Sequence, residues 1–228
     1  MLIKGFQKTT LLDFPGKVAC TVFTGGCNFR CPFCHNASLV THMDTSALDE
    51  EQVLEYIIRR KNILDGVCIT GGEPLLQHDI ASFCQRIHDL GLLVKLDTNG
   101  SYPERLKALI DMNLIDYIAM DIKNSKEAYA KTCGISELPE GIEESIRVIR
   151  DSGLPYEFRT TVVRELHSPE SMVSLAKWIS GAEKYFLQGF TDSGDLICDG
   201  LSAYSENEMK ELLSLVKQYV PSAELRGI

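Results

Sequence analysis

Three cysteines, Cys27, Cys31 and Cys34, occur within the segment GGCNFRCPFCHN (25–36) in the spacing C-x3-C-x2-C. Thiolates at this spacing can bind a metal centre, because they are preferred ligands of zinc and of iron–sulfur clusters. Structural zinc sites and ordinary iron–sulfur frameworks use four ligands, and no fourth cysteine follows nearby. If the metal is iron, three thiolates hold three corners of a cubane and leave the fourth iron open. The spacing therefore predicts a reactive site rather than a closed structural one.

The zinc alternative requires a fourth ligand from a nearby side chain. His35 directly follows Cys34 and His42 lies further along, but neither gives the usual paired spacing of zinc ligands. A disulfide with one spare thiol would need an oxidising compartment. Residues 1–20 lack the features of a signal peptide, and no apolar run approaches the length of about 18 residues that indicates a membrane span. We therefore expect a cytoplasmic protein and favour iron.

Six β-strands are predicted to alternate with helices along the chain. Short runs rich in β-branched residues predict strands at 18–24, 66–72, 92–100, 117–123, 156–163 and 184–190. Helical spacing of apolar residues predicts helices at 47–64, 79–91, 103–113, 141–153, 168–180 and 205–220. This alternation indicates right-handed crossovers and a parallel sheet. Since a complete eight-unit barrel needs about 250 residues, we expect an α/β fold, an incomplete (β/α)6 TIM-type barrel with parallel strands.

Polar and small residues follow the ends of the predicted strands. They are Cys27, Gly71, Gly72, Glu73, Asp97, Thr98, Asn99, Asp121, Lys123, Arg159 and Gln188. In βα barrels the active site forms at the carboxyl ends of the strands, so we expect these residues to surround one site. The alternative is that they only mark the points where polar surface loops begin.

Charge and length limit the classes of partner and the number of domains. The chain of 228 residues contains 23 Lys and Arg and 32 Asp and Glu, which gives a formal net charge of −9. A general nucleic-acid surface would be basic, so we expect no nucleic-acid partner and, without a membrane span, no membrane partner. The length and the 44% apolar content fit one globular domain.

Taken together, the motifs resemble a known superfamily. C-x3-C-x2-C after the first predicted strand, with Phe33 before the last cysteine, is similar to the signature of the radical S-adenosylmethionine (SAM) superfamily, and GGEP at 71–74 is a companion motif. Four longer stretches narrow the resemblance to one group within this superfamily: 11–36, 71–77, DTNG (97–100) and MDIK (120–123). These resemble the activating enzymes of glycyl radical enzymes, and among them the activating proteins of anaerobic ribonucleoside-triphosphate reductases. The resemblance implies one radical SAM domain over 1–228.

The resemblance implies a reaction as well as a fold. Cys27, Cys31 and Cys34 would be the catalytic residues that bind a 4Fe–4S cluster, with S-adenosylmethionine chelating the open iron. Reduction, by a donor such as flavodoxin or ferredoxin, would release a 5′-deoxyadenosyl radical. That radical would remove hydrogen from a glycine Cα of a partner protein, a glycyl radical enzyme.

Several cofactor contacts are implied by the same resemblance. Glu73 and Pro74 are similar to the segment that pairs with the methionine ammonium, while Gly71 and Gly72 would let the backbone approach the ligand. A turn is the alternative role for these glycines. The residues similar to a monovalent-cation site beside the methionine carboxylate are Asp97, Thr98, Asp121 and the carbonyl of Ala119.

Further implied contacts involve residues on other strand ends. Lys123 would contact the ribose or carboxylate of the cofactor, or form a structural salt bridge. Phe33 would contact the adenine, or pack in the core. Arg159 would meet the cofactor carboxylate or orient a substrate loop. Gln188 occupies the region in which the related pyruvate formate-lyase activating enzymes have a cofactor-binding His, while Asn99 belongs to the DTNG motif.

The five remaining cysteines suggest no second cluster. Cys20 and Cys68 fall in predicted strands and Cys84 in a predicted helix, where buried free cysteine is a common core residue. Cys133 and Cys198 fall in predicted loops, far apart in sequence. Either of these two could still be functional.

Two other functions remain open at this point. The first is a radical enzyme acting on a small molecule, similar to 7-carboxy-7-deazaguanine synthases, or an activating enzyme of another glycyl radical enzyme such as pyruvate formate-lyase. The second is an electron-transfer or iron-sensing protein. Such a protein would not bind S-adenosylmethionine, so the GGEP motif would have no role in it. The predicted loops are short, which favours a protein substrate because a small-molecule enzyme would close its pocket with its own loops.

Overall fold

Eight strands form one sheet whose spatial order follows the order of the chain. The computed structural model describes residues 1–41 and 47–228. The strands are β1 Ile3–Thr10, β2 Ala19–Thr24, β3 Gly66–Gly71, β4 Leu93–Thr98, β5 Tyr117–Asp121, β6 Tyr156–Val162, β7 Tyr185–Gly189 and β8 Ala223–Arg226. β1 is antiparallel to β2, and every later pair is parallel. Within the described ranges β1 and β8 do not pair, so the barrel is open between them.

Helices connect the parallel strands. They are α1 Ala37–Thr41, α2 Glu50–Arg60, α3 Ile80–His88, α4 Pro103–Asp111, α5 Lys126–Cys133, α6 Gly141–Asp151, α7 Pro169–Trp178 and α8 Glu206–Val216, with a single 3-10 turn at Pro74–Leu76. None of the helices in the described part of the chain has the length and apolar character needed to cross a bilayer.

Local sequence explains where these helices begin and which side they bury. In α2 the side chain of Asp49 accepts a hydrogen bond from the backbone N–H of Glu51 at 3.1 Å, which caps the first turn. Val53, Leu54 and Ile57 recur at helical spacing and are buried. The helix therefore packs one apolar face against the sheet and leaves its charged residues in solvent.

The predicted incomplete barrel of parallel strands is confirmed. The six predicted strands correspond to β2–β7. The structure adds β1, β8, α1 and α5, which the sequence did not predict. β1 has the mixed sequence IKGFQKTT, β8 has only four residues, and α5 lacks an apolar stripe because its buried residues include Thr132 and Cys133. Cys133 was expected in a loop, and this was wrong, because it ends α5 and is fully buried.

The interior of the barrel is lined by charged side chains, although most strand residues are apolar. On β4, Lys95 and Asp97 alternate with the buried Val94 and Leu96, as the two-residue period of a strand requires. Lys95 is 1% exposed and pairs with Asp97. Burying charge is tolerated only where each group has a partner. Arg159 on β6 also pairs with Asp97, so ion pairs within and between strands stabilise the buried charges.

One of these ion pairs fastens the last strand to the rest of the sheet. Arg226 on β8 donates from both terminal nitrogens to the carboxylate of Glu157 on β6, at 2.9 and 3.2 Å. Glu157 is 1% exposed and also accepts a hydrogen bond from the Tyr117 hydroxyl at 3.0 Å. Burial opposes ionisation of Glu157, but the Arg226 hydrogen bonds and the neighbouring cations outweigh it and lower the pKa.

We predict that Arg226→Met lowers the free energy of unfolding by about 2 kcal/mol at neutral pH, because it leaves a buried carboxylate short of hydrogen bonds. The pKa of Glu157 is depressed in the folded state, so the contribution of the pair is present above the ordinary carboxyl pKa and is lost as the pH falls through the folded value. Urea unfolding at neutral and acid pH measures both effects.

Glu224→Ala on the same strand provides the control, because Glu224 is exposed. Equal stability of Arg226→Met and this control at neutral pH would show that the ion pair does not fasten β8.

Candidate active site

A cavity opens at the carboxyl ends of the parallel strands. All three motif cysteines line it, together with residues from β3, β4, β5 and β6. The lining residues are Cys27, Phe29, Cys31, Phe33, Cys34, His35, Asn36, Val40, Thr70, Gly71, Gly72, Asp97, Thr98, Asn99, Asp121, Lys123, Arg159 and Thr161. The structure thus brings strand ends that are distant in sequence around one space.

Most of the residues predicted for the site line this cavity. The predicted residues outside its lining are Glu73, Pro74, Ala119 and Gln188. Pro74 is buried in the 3-10 turn, and Gln188 on β7 lies opposite Arg226 of β8. Lining residues that the sequence reasoning did not single out are Phe29, Asn36, Val40, Thr70 and Thr161, and His35 was considered only as a zinc ligand.

The loop that carries Cys27 is held by the turn that follows β3. Backbone N–H groups of Gly72 and Glu73 donate to the carbonyls of Thr24 and Gly26, at 2.9 and 2.8 Å. A Cβ on Gly72 would lie 1.9 Å from the Gly26 oxygen. The sequence suggested that the glycines allow a ligand to approach. In the structure the absence of a Cβ at Gly72 also lets two backbone segments approach each other.

Glu73 joins this turn to the end of β4. It is fully buried, and its carboxylate accepts hydrogen bonds from the Leu75 N–H at 3.0 Å, the Thr98 hydroxyl at 2.8 Å and the Asn99 N–H at 2.7 Å. Burial raises the pKa of Glu73 to about 7, against the opposing effect of these hydrogen bonds. The carboxylate therefore binds the chain itself, and the predicted place of the Glu73–Pro74 segment beside the methionine ammonium stays a prediction.

Two carboxylates at the cavity are already paired with cationic side chains. Arg159 lies between them, with Nη1 3.1 Å from an oxygen of Asp97 and Nε 3.0 Å from an oxygen of Asp121. Lys95 binds the second oxygen of Asp97, and Lys123 binds that of Asp121 at 3.0 Å. Every oxygen of the two carboxylates therefore has a cationic partner.

This pairing decides which groups at the cavity are ionised. Burial opposes ionisation of Asp121, but Lys123 and Arg159 outweigh it and hold its pKa well below the usual range. Burial likewise opposes the charged form of Lys123, but Asp121 outweighs it and raises the pKa of the ammonium group. Arg159 and Lys123 consequently carry fixed positive charge beside the cysteines.

The surroundings shift the pKa values of the three motif thiols in different directions. Burial raises the pKa of Cys27 to about 12 and also raises that of Cys34. A hydrogen bond from the Cys133 thiol instead lowers the pKa of Cys31, despite its burial. Metal binding requires thiolates, so loading this site releases protons.

Cys133 lies behind the motif loop and outside the cavity lining. Its carbonyl accepts a hydrogen bond from the Arg30 N–H at 2.8 Å, and a Cβ on the following Gly134 would lie 2.3 Å from the Arg30 oxygen. Cys20, Cys68 and Cys84 are buried as predicted, while Cys198 is exposed. Only the three motif cysteines thus reach the cavity.

The segment between β7 and α8, residues 190–205, forms hydrogen bonds with the cysteine motif and with the start of α1. Asp195 accepts hydrogen bonds from the Ser38 N–H and from the Ser38 hydroxyl, the latter at 2.7 Å. The Cys198 N–H donates to the Pro32 carbonyl at 3.0 Å. The loops were expected to be short, but this one is long and packs over the site. Nothing in its composition indicated this contact.

The residues present fit an iron–sulfur cluster and an organic cofactor. Three thiols face one cavity, and the Nε2 atom of His35 in its wall is buried without a hydrogen-bond partner, so it is available to a ligand. Within residues 1–41 and 47–228, no three His, Cys, Asp or Glu side chains are grouped closely enough to hold a single metal ion. His42, considered for zinc, lies outside the described residues.

Comparisons with known proteins agree with this architecture. A family model described as the radical SAM superfamily matches residues 21–179. A putative glycyl-radical enzyme activating enzyme of Methanocaldococcus jannaschii is 31% identical over 236 residues, covering 100% of this chain and 96% of that protein. A pyruvate formate-lyase-activating enzyme of Clostridium pasteurianum is 29% identical over 190 residues, covering 78% and 75%.

A solved structure shows that the fold is shared. It is a domain of a pyruvate-formate lyase-activating enzyme from Bacteroides vulgatus, with a TM-score of 0.57 and 18% identity. The match covers 71% of this chain and 99% of that chain.

We predict that Gly72→Ala loses most of the iron that the wild-type protein binds on anaerobic reconstitution. The new Cβ would overlap the Gly26 oxygen and displace the loop that carries Cys27, at a cost of about 2 kcal/mol in overpacking. Iron and sulfide analysis measures the loss.

Gly5→Ala is the matched control, because its Cβ would meet only the Phe23 side chain at 3.3 Å. If Gly72→Ala kept its full iron content and lost only affinity for S-adenosylmethionine, the glycine would serve the ligand, as the sequence first suggested.

We predict that Glu73→Gln destabilises the protein before any cofactor is added, by about 2 kcal/mol. The amide NH2 must face one of the donors that the carboxylate accepts from. The folded-state pKa of Glu73 is raised from the ordinary 4.5 to about 7, so wild-type stability falls as the pH rises through that window, and the variant lacks this slope. Urea unfolding of the cofactor-free protein tests both points.

Glu104→Gln serves as the control, since Glu104 is exposed on α4. Unchanged unfolding of Glu73→Gln together with weakened cofactor binding would restore the ammonium-binding role for Glu73.

Proposed function

Because this chain belongs to the radical SAM superfamily, we propose that it is an activating enzyme that installs a glycyl radical on a partner enzyme. The observation that carries the proposal is a cavity that three cysteine thiols line without a fourth. The similarity to the M. jannaschii activating enzyme extends over the whole chain and supports the choice within the superfamily.

The family implies a 4Fe–4S cluster and S-adenosylmethionine, and the cavity contains groups suited to both. Cys27, Cys31 and Cys34 would hold the cluster, and when bound the two groups together supply a radical that removes hydrogen from carbon. Lys123 and Arg159 would attract the cofactor carboxylate with their fixed charges. Phe33, Thr98 and Asn99 would border the cofactor, as would Gly71 and Gly72.

His35 extends this set of cofactor contacts. Its ring stacks on Phe190 at 5.7 Å between centroids, which fixes its orientation. Burial lowers the pKa of His35, so the ring is neutral near pH 7 and can donate or accept one hydrogen bond through Nε2. His35 would therefore orient the ligand without adding charge.

The monovalent cation predicted beside Asp97, Thr98 and Asp121 stays a proposal. Arg159 already places positive charge between the two carboxylates, and their oxygens are all paired. A cation would have to share these oxygens with Arg159 or displace it.

The partner would be a protein whose glycine-bearing segment enters the open side of the barrel. A reactive radical must be kept from water and stray hydrogen donors, so the bound segment would close the site. Glycine suits this position because its backbone can approach closely and its Cα hydrogen is the atom removed. Electrons would come from a small donor such as flavodoxin or ferredoxin.

Two partner enzymes are compared in the test. The motifs resemble those of the activating proteins of anaerobic ribonucleoside-triphosphate reductase, which we propose as the partner. Similarity to the C. pasteurianum enzyme supports pyruvate formate-lyase as the second candidate.

We predict that the reduced, reconstituted enzyme and S-adenosylmethionine generate a glycyl radical on the partner, with formation of an equimolar amount of 5′-deoxyadenosine. Electron paramagnetic resonance detects the radical as a doublet. The reductase and the lyase of the source organism are incubated separately, so the signal also identifies the partner.

Cys34→Ala, which removes one cluster ligand, is expected to give no signal with either partner. Rapid turnover of a small molecule without a protein radical would instead place the chain with enzymes such as the 7-carboxy-7-deazaguanine synthases.

A further inference from the structure

Asn99 is nearly fully buried at the end of β4, with 5% of its surface exposed, and its side-chain amide faces a motif cysteine. Its Nδ2 atom lies 3.8 Å from Cys27 Sγ and 2.9 Å from the Asn28 side-chain oxygen. The distance to sulfur is that of an N–H···S contact, since sulfur is larger than oxygen. A buried donor thus lies beside one of the proposed cluster ligands.

The orientation of this amide is set by its surroundings. The Asn99 Oδ1 atom accepts from the Ser101 backbone N–H at 2.9 Å and from the Ser101 hydroxyl at 2.6 Å. A backbone N–H can only donate, so the oxygen must face Ser101 and the NH2 group must face Cys27. The backbone N–H of Asn99 is in turn held by Glu73 at 2.7 Å.

Cys27 differs from the other two motif cysteines in this respect. It receives the backbone N–H of Phe29 at 3.4 Å and, in addition, the Asn99 side chain. Cys34 has a backbone donor at Asn36, and Cys31 is approached by the Cys133 thiol. Only Cys27, among the motif cysteines in the described residues, has a side-chain amide directed at its sulfur.

We infer that Asn99 is a positioning residue that donates a hydrogen bond to the Cys27 thiolate and thereby raises the reduction potential of the cluster. Hydrogen bonds to cysteine sulfur stabilise negative charge, and the reduced cluster carries one more negative charge than the oxidised one. The inference rests on the proposed cluster, and it gives Asn99 a contact to a cluster ligand in addition to its place in the cavity wall.

The role has a physical purpose in this site. A low-potential cluster is hard to reduce, and a donor to its ligand makes the electron easier to accept. The hydrogen bonds that join Asn99 to Ser101 and Glu73 keep that donor in place without reorganisation when the electron arrives.

The test is a redox titration of the reconstituted cluster in wild type and in Asn99→Leu, followed by electron paramagnetic resonance. Leu has nearly the shape of Asn but no donor, so the midpoint potential is expected to move to a more negative value with the iron content retained. Asn99→Ala, which lacks the donor but leaves space, should move it in the same direction.

Asn28→Ala is the control, because it removes the other partner of the Asn99 amide and leaves the donor to sulfur in place. Its potential is expected to match that of wild type. An unchanged potential in iron-replete Asn99→Leu, or an equal shift in Asn28→Ala, would overturn the inference.

A second measurement covers the case in which the Asn99 variants lose their cluster. Resonance Raman spectra of the wild-type cluster in H2O and D2O are expected to show a shifted iron–cysteine stretch from exchange of the amide hydrogens. Spectra of Ser101→Ala, which keeps the donor, should show the same shift, and its absence from both proteins would overturn the inference. A wild-type protein that assembles no cluster would contradict the proposed function itself, which separates the two failures.

Discussion

The arrangement of the site depends on one close backbone contact, between Gly26 before the first motif cysteine and Gly72 after β3. No side chain fits between them, since a Cβ on Gly72 would lie 1.9 Å from the Gly26 oxygen. The contact brings the loop of Cys27 to the end of β3, and Glu73 extends it to the end of β4 through Thr98 and Asn99. Three segments that are far apart in sequence are thereby joined before any metal or cofactor binds, so the thiols are held by the barrel and not by the ligand alone.

Buried ion pairs also stabilise the arrangement of the site. A barrel interior with Lys95, Asp97 and Arg159 would be unstable if any one charge lacked its partner, and ion pairs within β4 and between β4 and β6 satisfy all three. The network leaves Lys123 and Arg159 positive beside cysteines that would become anionic on binding iron, as we propose. Stability and function thus draw on the same side chains, which explains why the polar strand ends are both buried and close to the cavity.

The sequence predicted the parts of this arrangement that depend on residue type and spacing. β-branched runs identified β2–β7, and the cysteine spacing identified the three thiols that line the cavity. The sequence could not show which way a side chain points or which residues, remote in sequence, it contacts. The motif did not show that the Glu73 carboxylate binds Leu75, Thr98 and Asn99. Gly72 lines the cavity as expected, but its close contact with Gly26, which is remote in sequence, was not predicted. α5 and the burial of Cys133 were not predicted because only Tyr129, Thr132 and Cys133 are buried in that helix, which gives no apolar stripe, and β8 is too short to give a periodic signal.

The central claim is that three thiols hold a four-iron cluster and leave one iron free for the cofactor. Mössbauer spectroscopy of protein reconstituted with 57Fe tests it most directly, in samples with and without S-adenosylmethionine. The account predicts that the isomer shift of one iron site in four changes when the cofactor is added, while the other three stay the same. Four sites that are indifferent to the cofactor would contradict it.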